Sequence, residues 1–302
     1  MANHSIYIVG QGAIGLLLAK YLSQTAPITL IYQKLKGDVT FTYTSPTQHS
    51  TQFTVNAIAS SEAHQISQLI LPLKAHQIIP AFNQLKDCLT DDAVIVLSHN
   101  GMGTVDALKT LLTPGQSLLF LSTSMGAFKT DIHTLRHTGL GKTFIGVVQG
   151  SQHWLQLSLT KHLLSTLPDI NHDHDINQLL WRKLLINIAI NPLTALYQVK
   201  NGAMIKPEYC SQVFKLVHEA VLVANAEGIT ISLSEALELG YDVMRKTANN
   251  NSSMKQDFSK KQPTEIEAIC GYVIKKGAQY QIATPFNQWA LQAILDGKPL
   301  RS

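Results

Sequence analysis

The stretch Ser5-Ile-Tyr-Ile-Val-Gly-Gln-Gly-Ala-Ile-Gly15 joins a short apolar run to three closely spaced glycines. The apolar run predicts a buried strand, and the residues from Leu16 to Leu22 predict a helix. A glycine turn between a strand and a helix is the usual context of a dinucleotide-binding loop, because the first helical turn presents free N–H groups to the phosphates. We therefore predict a cofactor-binding loop made of Gly10, Gln11, Gly12, Ala13, Ile14 and Gly15.

The second predicted strand, Ile28-Thr-Leu-Ile-Tyr32, ends without an acidic residue. Proteins that bind NAD usually place Asp or Glu there, to accept a hydrogen bond from the ribose 2′-hydroxyl. Lys34 and Lys36 follow the strand instead, and basic residues at this place suit a 2′-phosphate. The pattern favours NADP(H) with Lys34 as a ligand. The alternative is a solvated basic loop.

Two further predicted strands end in polar residues. Lys74 follows Gln68–Leu73, and Asn100 follows Ala93–Leu97. Ligands of an open parallel sheet bind beyond the carboxyl ends of its strands, so Lys74 and Asn100 are candidates for ligand binding. Taken singly, a lysine after a strand is usually solvated, and an asparagine before glycine is usually only part of a turn.

The pattern of the sequence changes in its second half. Strand-like runs continue to Val148, and long helical patterns replace them after about residue 175. The polar segment Asp169 to Asp175 is the expected boundary. We predict an α/β fold in which a Rossmann-type dinucleotide-binding domain over residues 1–172 precedes an all-α domain over residues 173–302.

The helical half begins with Trp181-Arg-Lys-Leu-Leu-Ile-Asn-Ile-Ala-Ile-Asn-Pro192. Lys183, Asn187 and Asn191 lie four residues apart and form one stripe on a helix. A cation and two amides on an otherwise buried helix are costly unless something satisfies them, so the stripe predicts a ligand wall with one proton donor. The alternative is a core helix whose amides bond to neighbouring backbone. We expect Pro192 to kink or end the helix.

Composition and cysteine usage argue against several classes of protein. A net charge of +4 on 302 residues is too small to indicate nucleic acid binding, and no apolar run reaches membrane-spanning length. Three cysteines, far apart, fit a reducing cytoplasm better than a disulfide framework. The 12 histidines form no metal-ligand spacing, and no signal peptide precedes the first strand. We expect a cytoplasmic protein without a metal; monomer and homodimer both stay open.

The chain resembles the ketopantoate reductase (2-dehydropantoate 2-reductase) family over nearly its whole length. The specific marks are the lysine and asparagine stripe with Pro192, then Asn201-Gly202, Ser252-Ser-Met254 and Thr264-Glu-Ile266. The resemblance implies a 6-phosphogluconate dehydrogenase-like fold. It also implies reduction of 2-dehydropantoate (ketopantoate) to (R)-pantoate with NADPH, on the route to pantothenate and coenzyme A.

The resemblance further implies roles for individual residues. Lys183 matches the family's proton donor, and Glu265 matches a glutamate beside substrate and cofactor. Cofactor contacts are expected from Lys74, Asn100 and Ala127, and Asn100 is also expected at the substrate. The remaining substrate ligands are expected to be Asn187, Asn191, Asn201 and Ser253.

The chemistry of such a reduction fits these groups. Hydride transfer to a ketone leaves an alkoxide, which Lys183 can stabilise as a cation and protonate as a general acid. Ser253 is expected to help bind the substrate carboxylate, with a pure N-cap role as the alternative. Thr264 and Glu267 have the spacing of a capping box, so Glu265 is expected in the first helical turn, ionised, accepting from a substrate hydroxyl. Capping alone is the alternative for Glu265.

Two departures from the family pattern concern the cofactor. Lys34 stands where family members often carry Arg, and a lysine lacks the bidentate fork of a guanidinium. Ser124-Met-Gly126 stands after the fifth strand, where Thr-His-Ala is expected, so the surroundings of the nicotinamide differ. Other NADP-dependent 2-keto acid or 3-hydroxy acid dehydrogenases are the rival enzymes, and a non-catalytic NADPH-sensing protein is the rival from another class.

Overall fold

The computed structural model describes residues 5–32, 34–150 and 153–297. The chain divides into two compact units. The first comprises Met1–His99 and Thr104–Ile176, and the second comprises Asn100–Gly103 and Asn177–Ser302.

The first unit is built on one sheet of eleven strands. Its strands are β1 Ile6–Val9, β2 Ile28–Ile31, β3 Gly37–Thr44, β4 Ser50–Ile58, β5 Ile66–Leu71, β6 Leu89–Leu97, β7 Ser117–Thr123, β8 Gly126–Lys129, β9 Thr134–Gly139, β10 Thr143–Gln149 and β11 Ile170–His172. The order across the sheet is β11-β10-β7-β6-β5-β1-β2-β4-β3-β9-β8. The six central strands, from β7 to β4, run parallel, as expected for a dinucleotide-binding fold.

Burial explains why β1 and β2 read as almost continuous apolar runs. All four residues of β1 and of β2 are buried, because helices cover a parallel sheet on its faces. The helices of this unit are α1 Ala13–Leu22, α2 Ala75–Leu85, α3 Thr104–Lys109 and α4 Ser158–Thr166. The predicted Rossmann-type fold is confirmed. The strands β8 and β9 were not predicted; they form a hairpin that joins the edge of the sheet beside β3.

The second unit is helical. It contains α5 Ile176–Tyr197, which begins at the unit boundary, and then α6 Pro207–Ala226, α7 Leu233–Lys246, α8 Ser253–Ser259, α9 Tyr272–Gln279 and α10 Pro285–Leu295. A short π-helix, Glu267–Gly271, leads directly into α9. The core of the second unit is a cluster of apolar side chains drawn from these helices, with Trp181 of α5 almost completely buried.

Of the two outcomes expected at Pro192, a kink or a helix end, the second is wrong. Pro192 does not end the helix, which continues to Tyr197. A proline inside a helix costs about 3 kcal/mol through a lost hydrogen bond and a clash. Leu193 and Leu196, which follow it, are completely buried, and each such side chain contributes about 1.5–3 kcal/mol on burial. Core packing therefore outweighs the local preference.

Two helix starts also differ from expectation. Ser252, and not Ser253, is the N-cap of α8, since its Oγ accepts from the backbone N–H of Lys255 at 3.0 Å. The capping box at Thr264 and Glu267 is not formed. The Thr264 Oγ1 instead accepts from the N–H of Ile266 at 3.4 Å, and the helix starts with π geometry.

Candidate active site

The glycine loop lies between β1 and α1, as predicted. Gly10 has φ +84°, and a Cβ there would stand 2.8 Å from Leu73 Cδ2, so only glycine fits without rearrangement. Gly12 is exposed, and a Cβ there would meet no atom of the chain closer than 3.8 Å. It is also the N-cap of α1, with no side-chain cap and no acidic residue in the first turn. An open approach to uncapped N–H groups suits a dinucleotide phosphate.

The other residues of this loop divide by burial. Ala13 and Ile14 are partly buried, and Gly15 is buried in the first turn of α1. Gln11 is buried, and its Nε2 donates to Ile132 O at 2.5 Å, while its Oε1 has no hydrogen-bond partner. An unpartnered buried acceptor is costly, so this oxygen is suited to a donor from a ligand. The residues present therefore fit a bound dinucleotide.

The remaining cofactor candidates of the first unit are spread over three places. Lys34 is exposed in the turn after β2. Lys74 is partly buried at the N-cap of α2, where its backbone N–H donates to Gln77 Oε1 at 3.3 Å. Ala127 is partly buried in β8, opposite His137 of β9.

The predicted polar stripe forms on α5, and its members have different surroundings. Lys183 is partly buried, and burial lowers its pKa to about 8, while the nearby Glu265 carboxylate raises the pKa against that effect. Asn187 Nδ2 is buried, with no hydrogen-bond partner in the part of the chain that the structure describes. The Asn191 side chain is 6% exposed. The stripe thus holds an easily deprotonated amine and an unsatisfied amide donor on one helix face.

The Glu265 carboxylate, which acts on Lys183, is also hydrogen-bonded to Asn100. The Asn100 side-chain Nδ2 donates to Glu265 Oε2 at 3.1 Å, and the Asn100 backbone N–H donates to Oε1 at 3.4 Å. Both carboxylate oxygens therefore act as acceptors, which is the behaviour of the ionised form. Lys183, Glu265 and Asn100, predicted from three separate motifs, are brought together in the second unit.

The π-helix fixes the loop that carries Asn100. Met102 N–H donates to the carbonyl of Ala268 in that helix at 2.8 Å. Gly101 has φ +81°, and a Cβ there would stand 2.5 Å from the same carbonyl oxygen. Because π-helical turns in proteins are rare and often occur at functional sites, this close packing is a positioning device for Asn100 and Glu265. Sequence reasoning missed it, and only the glycines on either side of Met102 hinted at a tight approach.

A second group of candidates lies at the far end of the stripe. Thr194 Oγ1, one turn beyond Asn191, is hydrogen-bonded to Ser252 Oγ at 2.7 Å in a buried contact. This contact ties the start of α8 to α5. Ser253, the first residue of α8, comes directly after Ser252 in the sequence and is exposed. Sequence reasoning identifies Ser252 only as part of the family pattern and gives neither Ser252 nor Thr194 a role.

Asn201 combines a structural contact with an unsatisfied acceptor. Its Nδ2 donates to Thr247 Oγ1 at 3.0 Å, while its Oδ1 is buried without a partner. Asn187 thus offers a donor and Asn201 an acceptor, which are the two kinds of group that a substrate with a carboxylate and a hydroxyl requires.

The described ranges contain no candidate metal site and no candidate membrane span. No group of three or more His, Cys, Asp or Glu side chains there could hold a metal ion. No helix among the described residues is long and apolar enough to cross a membrane. Cys88, Cys210 and Cys270 are free thiols.

Together, a dinucleotide-binding unit and a helical unit with a lysine, a carboxylate and unsatisfied amides define a class of dinucleotide-dependent oxidoreductases. Comparison with known proteins gives the family. The ketopantoate reductase PanE/ApbA model matches residues 6–150, and the model of the C-terminal part of that family matches residues 175–297. The chain therefore belongs to the ketopantoate reductase family.

Individual relatives agree with this assignment. The chain is 35% identical to the 2-dehydropantoate 2-reductase of Vibrio cholerae, over 96% of each chain. The crystal structure of the probable 2-dehydropantoate 2-reductase of Bacillus subtilis is similar, with a TM-score of 0.83 and 26% identity, over 97% of this chain and 100% of that one. D-mandelate dehydrogenase in complex with NADH and anilino(oxo)acetate shares the fold, with a TM-score of 0.87 at 20% identity and 97% coverage of each chain.

Proposed function

We propose that the chain reduces 2-dehydropantoate to (R)-pantoate with NADPH, in the biosynthesis of pantothenate and coenzyme A. The observation that carries this proposal is the Glu265 carboxylate, which is held by two hydrogen bonds from Asn100 and lies near enough to Lys183 to raise its pKa. Membership of the ketopantoate reductase family supports it, as does the relative from Vibrio cholerae, which matches along 96% of both chains. Ketopantoate reductases depend on NADPH, and the glycine loop suits such a cofactor.

Lys183 acts as the proton donor. NADPH, when bound, supplies the hydride, and reduction of the ketone then leaves negative charge on the carbonyl oxygen. An ammonium group at this place stabilises that charge and protonates the oxygen. A general acid is most effective when its pKa lies near the working pH, and a pKa of about 8 meets this condition better than an ordinary lysine does.

Glu265 has two tasks in this proposal. Its negative charge keeps Lys183 protonated near neutral pH, because it opposes the effect of burial on the lysine pKa. Its oxygens also accept from a substrate hydroxyl. The two hydrogen bonds from Asn100 hold the carboxylate in place for both tasks.

The asparagines and Ser253 bind the substrate. Asn187 Nδ2 donates to a substrate oxygen, and Asn201 Oδ1 accepts from a substrate hydroxyl; each is buried and has no partner among the described residues. Asn191 and Ser253 complete the set at the end of α5 and the start of α8. An unpaired buried polar group costs about 1–3 kcal/mol, so a substrate that satisfies two of them gains both affinity and specificity.

NADPH is preferred over NADH in this proposal. The support is the absence of an acidic residue after β2, where NAD-dependent proteins accept a hydrogen bond from the ribose. Lys34, exposed at that place, is the proposed partner of the 2′-phosphate. The companion proposals are a cytoplasmic location, supported by free cysteines, and a monomeric or homodimeric state.

The test is a substrate panel followed by NADPH absorbance. We expect the highest kcat/KM with ketopantoate and NADPH, and (R)-pantoate as the product on chiral chromatography. The second candidate, a dehydrogenase of other 2-keto acids, is motivated by the shared fold with D-mandelate dehydrogenase. A higher kcat/KM with an aromatic 2-keto acid would favour it, a higher kcat/KM with NADH would refute the cofactor preference, and absence of any turnover would favour a non-catalytic NADPH sensor.

A further inference from the structure

A lysine that the sequence motifs did not identify lies against the glycine loop. Lys129, the last residue of β8, donates from its Nζ to the backbone carbonyl of Gln11 at 3.0 Å. Gln11 is the residue between Gly10 and Gly12, so this ammonium group lies beside the N–H groups proposed to bind phosphate. The side chain is partly buried, and burial lowers the pKa of Lys129, while the Asp131 carboxylate raises it in part.

Within the described part of the chain, the carboxylate that acts on the ammonium group is that of Asp131, which is not in salt-bridge contact with it. No carboxylate there forms a salt bridge with Lys129. Asp131 uses its oxygens within its own turn, where Oδ1 accepts from His133 N–H at 2.8 Å and Oδ2 from Thr130 Oγ1 at 3.4 Å. Partly buried charges are normally paired, so a cation in this position indicates that an anion completes the site.

The contact between the glycine loop and the β8–β9 hairpin does not require the charge of Lys129. Gln11 Nε2 already ties the glycine loop to the β8–β9 turn through Ile132 O at 2.5 Å. A neutral donor could make the contact with Gln11 O equally well. An ammonium group has three donors, and only one is used on Gln11 O, which leaves two for a ligand.

We propose that Lys129 binds the diphosphate of the dinucleotide cofactor. The inference rests on the proposed function, since it requires a dinucleotide at the glycine loop. The diphosphate is the group concerned because Lys129 touches the middle of that loop, whereas the 2′-phosphate belongs at the end of β2, beside Lys34. NADPH and NADH share the diphosphate, so Lys129 contributes to the binding of both.

The experiment measures dissociation constants without substrate. NADPH and NADH are titrated by fluorescence into the wild type and into Lys129→Gln, which removes the charge but keeps a donor for Gln11 O. Lys129→Arg keeps the charge. Lys161→Gln, which removes one charge from an exposed position on α4, is the matched control. Each titration is repeated at low and high salt, and the thermal midpoint of every variant is recorded.

We expect Lys129→Gln to weaken NADPH and NADH by the same factor, about 10- to 100-fold, as for the loss of a hydrogen bond to a charged group. Its salt dependence should be shallower than that of the wild type, because one screened attraction is gone. Lys129→Arg and Lys161→Gln should stay within a few-fold of the wild type. The thermal midpoint of Lys129→Gln should not fall.

Three results would overturn the assignment. Wild-type affinity in Lys129→Gln would remove any role for the charge. A loss confined to NADPH would move Lys129 to the 2′-phosphate. Equal losses of dinucleotide affinity in Lys129→Gln and Lys129→Arg, with lowered thermal midpoints, would show that Lys129 has only a structural role. Failure of the wild-type protein to bind either dinucleotide would refute the cofactor site itself, and with it the proposed function.

Discussion

Replacing Lys183 by methionine should abolish most of the activity and at the same time stabilise the fold. Burial lowers the pKa of Lys183 from 10.5 to about 8, even with Glu265 nearby to raise it. A difference of this size corresponds to about 3 kcal/mol between the two protonation states. The folded protein therefore carries a charged group that is more stable in water, and methionine fills a similar volume without that cost.

The sign follows from proton linkage. The folded-state pKa lies below that of the unfolded chain, so between about pH 8 and 10.5 the unfolded chain binds more protons, and stability rises with pH. Below about pH 8 the full cost is present. We expect Lys183→Met to gain about 1–3 kcal/mol at pH 7, and the lost attraction to Glu265 is already contained in the folded-state pKa. The difference from the wild type should shrink as the pH rises toward 10.5.

Two assays check this prediction. Chemical denaturation at pH 7 and pH 10 gives the stability difference, with Lys260→Met, at an exposed lysine of the same unit, as the control. Steady-state kinetics should show kcat lowered by about 10²–10⁴, the usual contribution of a general acid. A variant that is less stable than the wild type at pH 7 and turns over normally would refute both the burial cost and the proton-donor role.

Three further predictions concern the groups around Lys183. Glu265→Gln should shift the alkaline limb of the kcat/KM profile from near pH 8 to lower pH, by about one to three units, because the carboxylate no longer raises the pKa of Lys183. An unmoved limb would contradict the interaction between Lys183 and Glu265. Asn187→Ala should raise KM with almost no loss of stability, since its Nδ2 has no partner among the described residues. Asn201→Ala should raise KM and also cost about 1 kcal/mol of stability, because it breaks the bond to Thr247. Measured thermal midpoints and KM values separate the two variants. Gly101→Ala should lower kcat and reduce the stability of the fold by about 1–3 kcal/mol, because a Cβ would stand 2.5 Å from a π-helix carbonyl oxygen. The expected pattern is a reduced kcat with unchanged NADPH affinity. Wild-type kinetics would exclude the positioning role.

The parts of the fold that could be predicted are those set by local pattern. The runs that became β1 and β2 are apolar except at Thr29, because both faces of the central sheet are covered, and this is visible in the sequence. The hairpin of β8 and β9 has no such signal. Its residues 126–129 are all at least partly exposed, so alternation and apolar runs are both weak there. Its place in the sheet is set by pairing with β3, far away in sequence.

The same distinction applies to the candidate site. The spacing of Lys183, Asn187 and Asn191 is a local property and predicts a shared helix face. Whether an asparagine on that face is structural or free for a ligand depends on distant partners. Asn187 Nδ2 has no partner among the described residues, whereas Asn201, which lies beyond the end of α5, has one donor satisfied by Thr247, 46 residues further on.

Lys129 illustrates the limit most clearly. In the sequence it is a lone lysine in an irregular stretch, and it matches no motif. Its significance comes from a contact with Gln11, 118 residues earlier, together with the absence of a salt bridge to it within the described residues. A fingerprint identifies the backbone that approaches a phosphate, because that requires glycines at fixed spacing. The cation that neutralises the phosphate can come from any strand whose end reaches the loop, so geometry must supply it.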